Sequence, residues 1–421
     1  MDRTIDIAIV GGGIVGLTAA LSLHSGGFRP TVYEVVAKPA PLGVGINLLP
    51  HAIRELAELG LLDDLRAKGV AIDDLHYLTA SGAPVWHEPR GLTAGYRWPQ
   101  IAIHRGELQM YLLSKVIERL GPAAVRSGHE LIDVQSKGAR VQARFADRIA
   151  GGESLIGADL LIGADGIHSA VRRQYYPAEG APRWNGITLW RSTSPVTAPL
   201  GGKAMIWAGS SRQKFVAYPI GKDPETGLDR LNWICDLKIA DADSPPPRDW
   251  NRTGDRADFL PQFADWRWSG IDVPAIIKAS GPIYEFPMVD RDPLPQWTFG
   301  RATLMGDAAH PMYPIGSNGA TQGIIDARVF AWHLSKAPTV DEALRGYEGD
   351  RREFTAKIVL MNRQQGPDRV LDLAAERLGV GSRALDECLP MAERAEIAVG
   401  YKQTAGFSPV ELNERPSFSI S

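Results

Sequence analysis

The chain has 421 residues, and its 46 Lys and Arg stand against 49 Asp and Glu for a formal charge of −3. That near balance removes the usual reasons to expect nucleic acid or an anionic membrane as a partner. Two cysteines without a Cys-x-x-Cys pair exclude a disulfide framework and a redox-disulfide enzyme, and the nine histidines show no metal-ligand spacing.

In chain order, the first predicted element is a strand ending in Ile7-Ala8-Ile9-Val10, followed by Gly11-Gly12-Gly13-Ile14-Val15-Gly16 and a helix from about Ile14. Gly11 suits a tight turn, Gly13 lets the backbone approach a pyrophosphate, and Gly16 lets helix and sheet pack closely. Unpaired N–H groups at the helix start, around Ile14 and Val15, would receive that pyrophosphate. The next strand, Thr31-Val32-Tyr33-Glu34, ends in a carboxylate suited to the two hydroxyls of an adenosine ribose and repellent to a 2′-phosphate. Ile7 to Leu23 is apolar enough to be compared with an export signal. The leader before it carries more acid than base, and three glycines weaken an export helix, so a cytoplasmic protein is expected. No other apolar run reaches transmembrane length.

Pro41 to Pro50 is punctuated by Gly43 and Gly45 but otherwise mostly apolar, as a loop lying against a flat ring would be. The spacing predicts one helix over His51 to Leu65, a hairpin over Leu75 to Trp86 turned at Ser81-Gly82, and a helix over His104 to Leu120. Leu155 to Gly163 reads as one strand, ended by Gly163-Ala164-Asp165-Gly166. From Trp184 to about Pro287 the rhythm changes to short alternating segments: Gly186 to Ser192, Lys203 to Trp207, Lys214 to Ile220 and Leu231 to Leu237. These predict an antiparallel sheet, with Pro245-Pro246-Pro247 and Gly281-Pro282 in its loops.

A second nucleotide signal follows. Ala302-Thr303-Leu304-Met305 leads to Gly306-Asp307, and Pro311 to Gly319 then leads to a helix from about Ala320 to Leu334. The Asp307 carboxylate suits the hydroxyls of a ribityl chain, and the new helix N-terminus favours an anionic ring near N1 and O2 of an isoalloxazine. Two such sites almost three hundred residues apart imply a long cofactor gripped at both ends, and FAD fits better than NAD. The pattern is helical again from Asp368 to Arg394, and the tail after Gly406 is expected to be poorly ordered. The predicted fold is α/β. It has a discontinuous Rossmann-like FAD-binding domain (1–75, 104–180 and 290–365) and an inserted antiparallel-sheet substrate domain (76–103 and 181–289). A C-terminal helical extension and tail (366–421) complete it.

Gly11-x-Gly13-x-x-Gly16, Gly163-Ala164-Asp165-Gly166-Ile167-His168-Ser169-x-Val171-Arg172 and Gly306-Asp307-Ala308-Ala309-His310 stand in this order at these separations. The set resembles the single-component, FAD-dependent aromatic hydroxylases of the para-hydroxybenzoate hydroxylase class. Pro41 to Asn47, Ile103 to Met110, Val289 to Pro295 and Met312-Tyr313-Pro314 look closer still to the phenazine-modifying monooxygenases. The resemblance covers roughly Ile5 to Asn362. It implies that Arg105 and Gln109 contact the cofactor, that Asp165 secures its loop, and that Arg172 supports the site. It further implies Asp307 on the ribityl chain and Gly316, Asn318 and Gly319 against the flavin ring by backbone, with Gly45 on the facing loop. One departure stands out: many relatives carry Gly-x-Gly-x-Asn where this chain has the shorter Gly316-Ser317-Asn318-Gly319.

The activity implied is hydroxylation of an aromatic or N-heteroaromatic, carboxylated small molecule, with or without loss of the carboxylate. NADH or NADPH would reduce FAD, molecular oxygen would add at C4a, and its distal atom would pass to the substrate ring, with no side chain as nucleophile. Gly379-Val380-Gly381 lacks a third glycine, so nicotinamide is expected to bind transiently. Trp190, Arg191, Met205, Trp207, Tyr218 and Trp233 are the candidate walls of the substrate site, although most of them are expected to serve as plain core packing. Arg191 would pair with a carboxylate, Tyr218 would donate a hydrogen bond, and Pro314 would adjoin the substrate. Two alternatives remain open at this level: an FAD oxidase or dehydrogenase that inserts no oxygen, and a non-catalytic protein that keeps the dinucleotide fold. Oligomeric state is left open.

Overall fold

The computed structural model describes residues 5–240, 252–268, 270–378 and 384–420. The Pro245-Pro246-Pro247 run and Gly379-Val380-Gly381 lie outside them.

Three distant stretches build one sheet. Its strands lie in the order Thr298–Phe299, Ala302–Leu304, Leu160–Gly163, Ile7–Val10, Thr31–Glu34, Val125–Ser127, and all pairings are parallel except the first. The central strands Ile7–Val10 and Leu160–Gly163 are short, fully buried runs, as strands covered on both faces require. The Ala302–Leu304, Leu160–Gly163 and Ile7–Val10 strands are immediate neighbours, so the turns at Gly306, Gly163 and Gly11 emerge side by side at one carboxyl edge. In an open parallel sheet that edge is where ligands bind. The helices Ile14–Ser25 and Gly319–Lys336 start from this edge and pack on each other.

A three-stranded antiparallel sheet, His129–Lys137, Arg140–Asp147 and Glu153–Ala158, flanks the first, with Phe145 stacked on Tyr33. The stretch read as one strand from Leu155 to Gly163 is therefore two. The chain leaves one sheet at Ala158 and enters the other at Leu160, and Asp159 between them pairs with Arg140. The helix expected over His51 to Leu65 is likewise two, Pro50–Glu58 and Leu62–Lys68. They are parted by a turn in which the Leu61 N–H reaches back to Leu56 O at 3.1 Å.

The alternating segments form an eight-stranded sheet that contains Arg183–Val196, Asp229–Lys238, Gln213–Lys222, Ala204–Ser210, Asp74–Leu78 and Pro84–Pro89 in that order. It is mixed rather than purely antiparallel, because Ala204–Ser210 runs parallel to Asp74–Leu78. The hairpin over Leu75 to Trp86 forms as expected. One face of this sheet buries Trp190, Phe215, Trp233 and Cys235 under Phe259, Phe263 and Ile277. The other face looks towards the nucleotide-type sheet across a small bridging sheet, Gly45–Leu48, Gln100–His104 and Val70–Ile72.

Helices Val340–Arg363, Arg369–Leu378 and Met391–Thr404 complete the chain. The tail after Gly406 is ordered, contrary to expectation. It forms the helix Pro409–Glu414, and Arg54 donates to Leu412 O at 3.1 Å and Arg415 O at 2.8 Å while Arg328 donates to Phe418 O at 2.9 Å. Two buried arginines thus supply the partners that a tail of low hydrophobicity could not find in its own sequence.

Candidate functional site

The glycine turns, the Gly45 strand, the loop from Met312 to Gly319 and the inner face of the eight-stranded sheet enclose a cavity of about 340 Å³. Gly11 has φ +106°, and a Cβ there would lie 2.5 Å from Ala164 O; one on Gly16 would lie 2.0 Å from Gly11 O. Both glycines are demanded by the protein itself. A Cβ on Gly13 would meet nothing within 4 Å, so that glycine leaves room facing the cavity. Ile14 and Val15 line the cavity beside it.

The helices Ile14–Ser25 and Gly319–Lys336 both present N-termini without a side-chain cap and without an acidic residue in the first turn. Their unpaired N–H groups and positive dipole ends remain available to a ligand. Gly13, Ile14, Gly316 and Gly319 line the cavity, so the donor set fits a diphosphate at one end and an electron-rich ring edge at the other.

Arg105 and Asp307 face the cavity, and Asp307 is exposed to it. Burial by the surrounding protein raises the Asp307 carboxyl, and His310 and Arg105 oppose that rise. Gln109 does not line the cavity; its Nε2 donates to Gly12 O at 2.9 Å and steadies the first turn. Glu34 has both oxygens engaged, accepting from Gly12 N at 2.6 Å and Val36 N at 2.8 Å. Each oxygen keeps a further lone pair, so a ribose hydroxyl can still donate to it. Asp165 accepts from Ala170 N at 2.7 Å and Val171 N at 3.3 Å through Oδ2, while its buried Oδ1 has no partner. Arg172 is 1% exposed and donates to the carbonyls of Ala308 at 3.1 Å, Ala309 at 2.9 Å and Asp292 at 3.0 Å. It ties the second glycine motif to the third. Asn318 donates to Tyr401 Oη at 2.9 Å, so its side chain braces the ring loop from outside the cavity.

Behind Asp307 lies a buried ion network that sequence reading missed. Asp326 accepts from His310 Nε2 at 2.5 Å, Arg351 Nε at 2.7 Å and Gly306 N at 3.0 Å. Burial pushes the Asp326 carboxyl up, but His310 and Arg351 outweigh it and hold it at about 2. A carboxyl depressed in the folded state stabilises above its unfolded pKa and loses that contribution as pH falls through the folded value. The expected result is a loss of about 2 kcal/mol of unfolding free energy between about pH 5 and pH 2, absent in Asp326→Asn. Urea titrations across that window measure it, and equal slopes in the two proteins would refute it.

At the substrate side, Arg191, Tyr218 and Pro314 all line the cavity. Arg191 Nη2 donates to Gly45 O at 3.1 Å, its Nε has no partner, and no carboxylate among the described residues lies within ion-pair distance of it. Tyr218 is 4% exposed, and burial pushes its hydroxyl up to about 12 against the pull of Arg191. Met205 and Trp207 face the cavity, whereas Trp190 and Trp233 sit on the opposite face against Phe259. Trp190 and Trp233 are therefore core, the fate expected for most of these residues, while Trp207 and Tyr218 line the cavity. Lys214, Asp236 and Asp368 also line the cavity and were not foreseen. A lysine and an aspartate at inward register in apolar strands were the signal available for the first two; Asp368 carried none.

The family described as FAD binding domain matches residues 4–362. The chain belongs to this family. Its cofactor is FAD, which the cavity's donor set fits, and the family fold matches the one described above. A phenazine 1,6-dicarboxylic acid hydroxylase of Lysobacter antibioticus is 44% identical over 364 residues, covering 86% of this chain and 89% of that protein. A 3-amino-4-hydroxybenzoate 2-monooxygenase of Streptomyces cremeus is 32% identical, covering 85% and 86%. Among solved structures, Klebsiella pneumoniae HpxO complexed with FAD and uric acid aligns with TM-score 0.75 at 22% identity, covering 97% of this chain and 99% of that one. The chain is a flavin-dependent aromatic monooxygenase of this family. No described helix is long and apolar enough to cross a membrane.

Proposed function

We infer that this monooxygenase hydroxylates a planar aromatic or N-heteroaromatic acid, with or without loss of the carboxylate, and draws its electrons from NADH or NADPH. The observation that carries the reading is Arg191, a guanidinium in the cavity that lacks a carboxylate partner among the described residues. A buried cation of this kind is costly unless a ligand anion pairs with it, and a planar fork matches a carboxylate. The name of the Lysobacter relative, a dicarboxylic acid hydroxylase, points the same way.

Bound FAD supplies electron transfer and oxygen activation. The chain's own residues bind, orient and dry the site. The Gly11 to Gly16 turn takes the diphosphate, Glu34 the adenosine ribose, and Asp307 the ribityl hydroxyls. Arg105 would hold the cofactor as a fixed cation near its phosphates or flavin edge, with Asp165 and Arg172 holding its loops. Gly45 and the backbone of Gly316, Asn318 and Gly319 flank the ring. Arg191 pairs with the substrate carboxylate, and Tyr218 stays protonated and donates its O–H. Leu189, Val216, Ile234 and Met288 keep the reacting edge apolar. Nicotinamide binds transiently, and a cytoplasmic location accords with the free Cys235 and Cys388.

The test is anaerobic stopped-flow reduction by NADH or NADPH across a panel of aromatic acids. A true substrate is expected to speed flavin reduction at least roughly tenfold, about 1.4 kcal/mol of barrier. In Arg191→Leu the acid should bind about 10- to 150-fold more weakly, the worth of a charge-assisted contact, with FAD retained. Peroxide formed in step with substrate loss, with no oxygen in the product, would establish an oxidase instead.

A further inference from the structure

The inner face of the eight-stranded sheet carries polar rows at both ends, and its middle row is apolar apart from Arg191. Along one strand Lys214, Val216 and Tyr218 all line the cavity, and the neighbouring strands add Asp236 and Ile234, then Leu189 and Arg191. Cross-strand register sets Leu189, Asp236 and Lys214 in one row and Arg191, Ile234, Val216 and Trp207 in the next. Tyr218 and Asn232 form a third row, beside Gly45, where Arg191 also ends. The outer rows are four residues apart, roughly 13 Å at about 3.3 Å per residue.

The row remote from Gly45 is a built site. Lys214 Nζ donates to Asp368 Oδ2 at 2.5 Å and Asp236 Oδ2 at 3.1 Å. The three residues are 7%, 2% and 4% exposed in the order Lys214, Asp368, Asp236. Asp236 lines the cavity, and its buried Oδ1 has no partner. A bare carboxylate oxygen in a sheltered pocket costs several kcal/mol unless a donor reaches it, so such groups are matched by ligand or water. The cluster carries two acids against one base, which disfavours an anion there and favours a hydrogen-bond donor.

Resting on the proposed reading of Arg191 as the carboxylate anchor, we propose that Asp236 is a substrate-selecting residue. It accepts a hydrogen bond from an O–H or N–H on the edge of a fused-ring substrate remote from the carboxylate held by Arg191. Lys214 and Asp368 are positioning residues that fix its free oxygen. The apolar middle row, Ile234, Val216 and Trp207, then underlies the rings. The Arg191 guanidinium starts from the middle row and reaches toward Gly45, so it stands two to four residues, roughly 7–13 Å, from the Asp236 row, a span that suits two or three fused rings.

The test uses the FAD-loaded full chain and three probes: 1-naphthoate, 5-hydroxy-1-naphthoate and naphthalene-1,5-dicarboxylate. Binding is read from perturbation of the flavin absorbance. The hydroxy acid should bind at least about tenfold more tightly than 1-naphthoate, and the dicarboxylate more weakly than the hydroxy acid, as one charge-assisted hydrogen bond predicts. Asp236→Asn and Asp236→Ala should both erase most of the hydroxyl advantage while leaving 1-naphthoate affinity unchanged; in either variant Lys214 keeps Asp368. A hydroxyl advantage that survives in both variants, or a dicarboxylate that binds tightest, would overturn the proposal, as would failure of all three probes on protein that retains FAD. Arg191→Leu separates the two readings, because it should weaken all three acids alike and leave the hydroxyl preference in place. If Arg191→Leu weakens none of them, the anchor reading fails, whatever Asp236 does.

Discussion

Gly16→Val is expected to yield a chain that purifies without FAD. Even the first atom of a side chain at this position would stand 2.0 Å from Gly11 O, a backbone atom that cannot rotate away. Relief requires the helix to lift from the turn, which moves its N-terminal N–H groups away from the proposed diphosphate site. Overpacking against backbone at this level costs about 3 kcal/mol or more, over about 100-fold in FAD dissociation constant. The informative partner is Gly13→Ala, whose Cβ would meet no protein atom within 4 Å. It should fold and melt like the parent, and any loss of flavin from it reports close approach of the cofactor. The ratio of flavin to protein absorbance, with thermal melts of both variants, decides the matter. Full flavin occupancy in Gly16→Val would remove the turn from the cofactor site.

The second large effect belongs to Arg172→Met. This guanidinium holds three backbone carbonyls, at Ala308, Ala309 and Asp292, and pairs with Glu179. Glu179 keeps Arg291 at 3.0 Å when Arg172 is lost, so the damage falls mainly on the carbonyls and on the loop carrying Asp307. Leaving buried acceptors unmet should cost about 3–5 kcal/mol of unfolding free energy. Urea unfolding of the flavin-free variant measures that loss, and flavin retention should fall with it. Unchanged stability would mean that the three carbonyls find other donors.

The two glycine turns were legible because their constraint is local: a tight turn and a close helix each require a residue without Cβ wherever the fold places them. Their adjacency was legible only as an implication, since parallel pairing between Ile7–Val10, Leu160–Gly163 and Ala302–Leu304 leaves no mark within any one strand. Which of the aromatic candidates would line the cavity and which would pack in the core was not legible, for a definite reason. Trp190 and Trp233 each stand one residue from a cavity-lining neighbour, Arg191 and Ile234, and a one-residue step turns a side chain to the other face. Sequence showed the alternation but not which face met the core. The tail was misjudged because its order comes from Arg54 and Arg328, more than eighty residues earlier in the chain.

Asp368, which steadies the remote end of the cavity, and Tyr401, which braces Asn318, both come after residue 362, where the family match ends. The part of the chain that the family match covers thus leaves its ligand chamber to be finished by the segment that follows it. Remodelling this last seventh of the polypeptide would therefore act at both ends of the chamber, through Asp368 on the substrate side and through Tyr401 on the loop that carries Asn318.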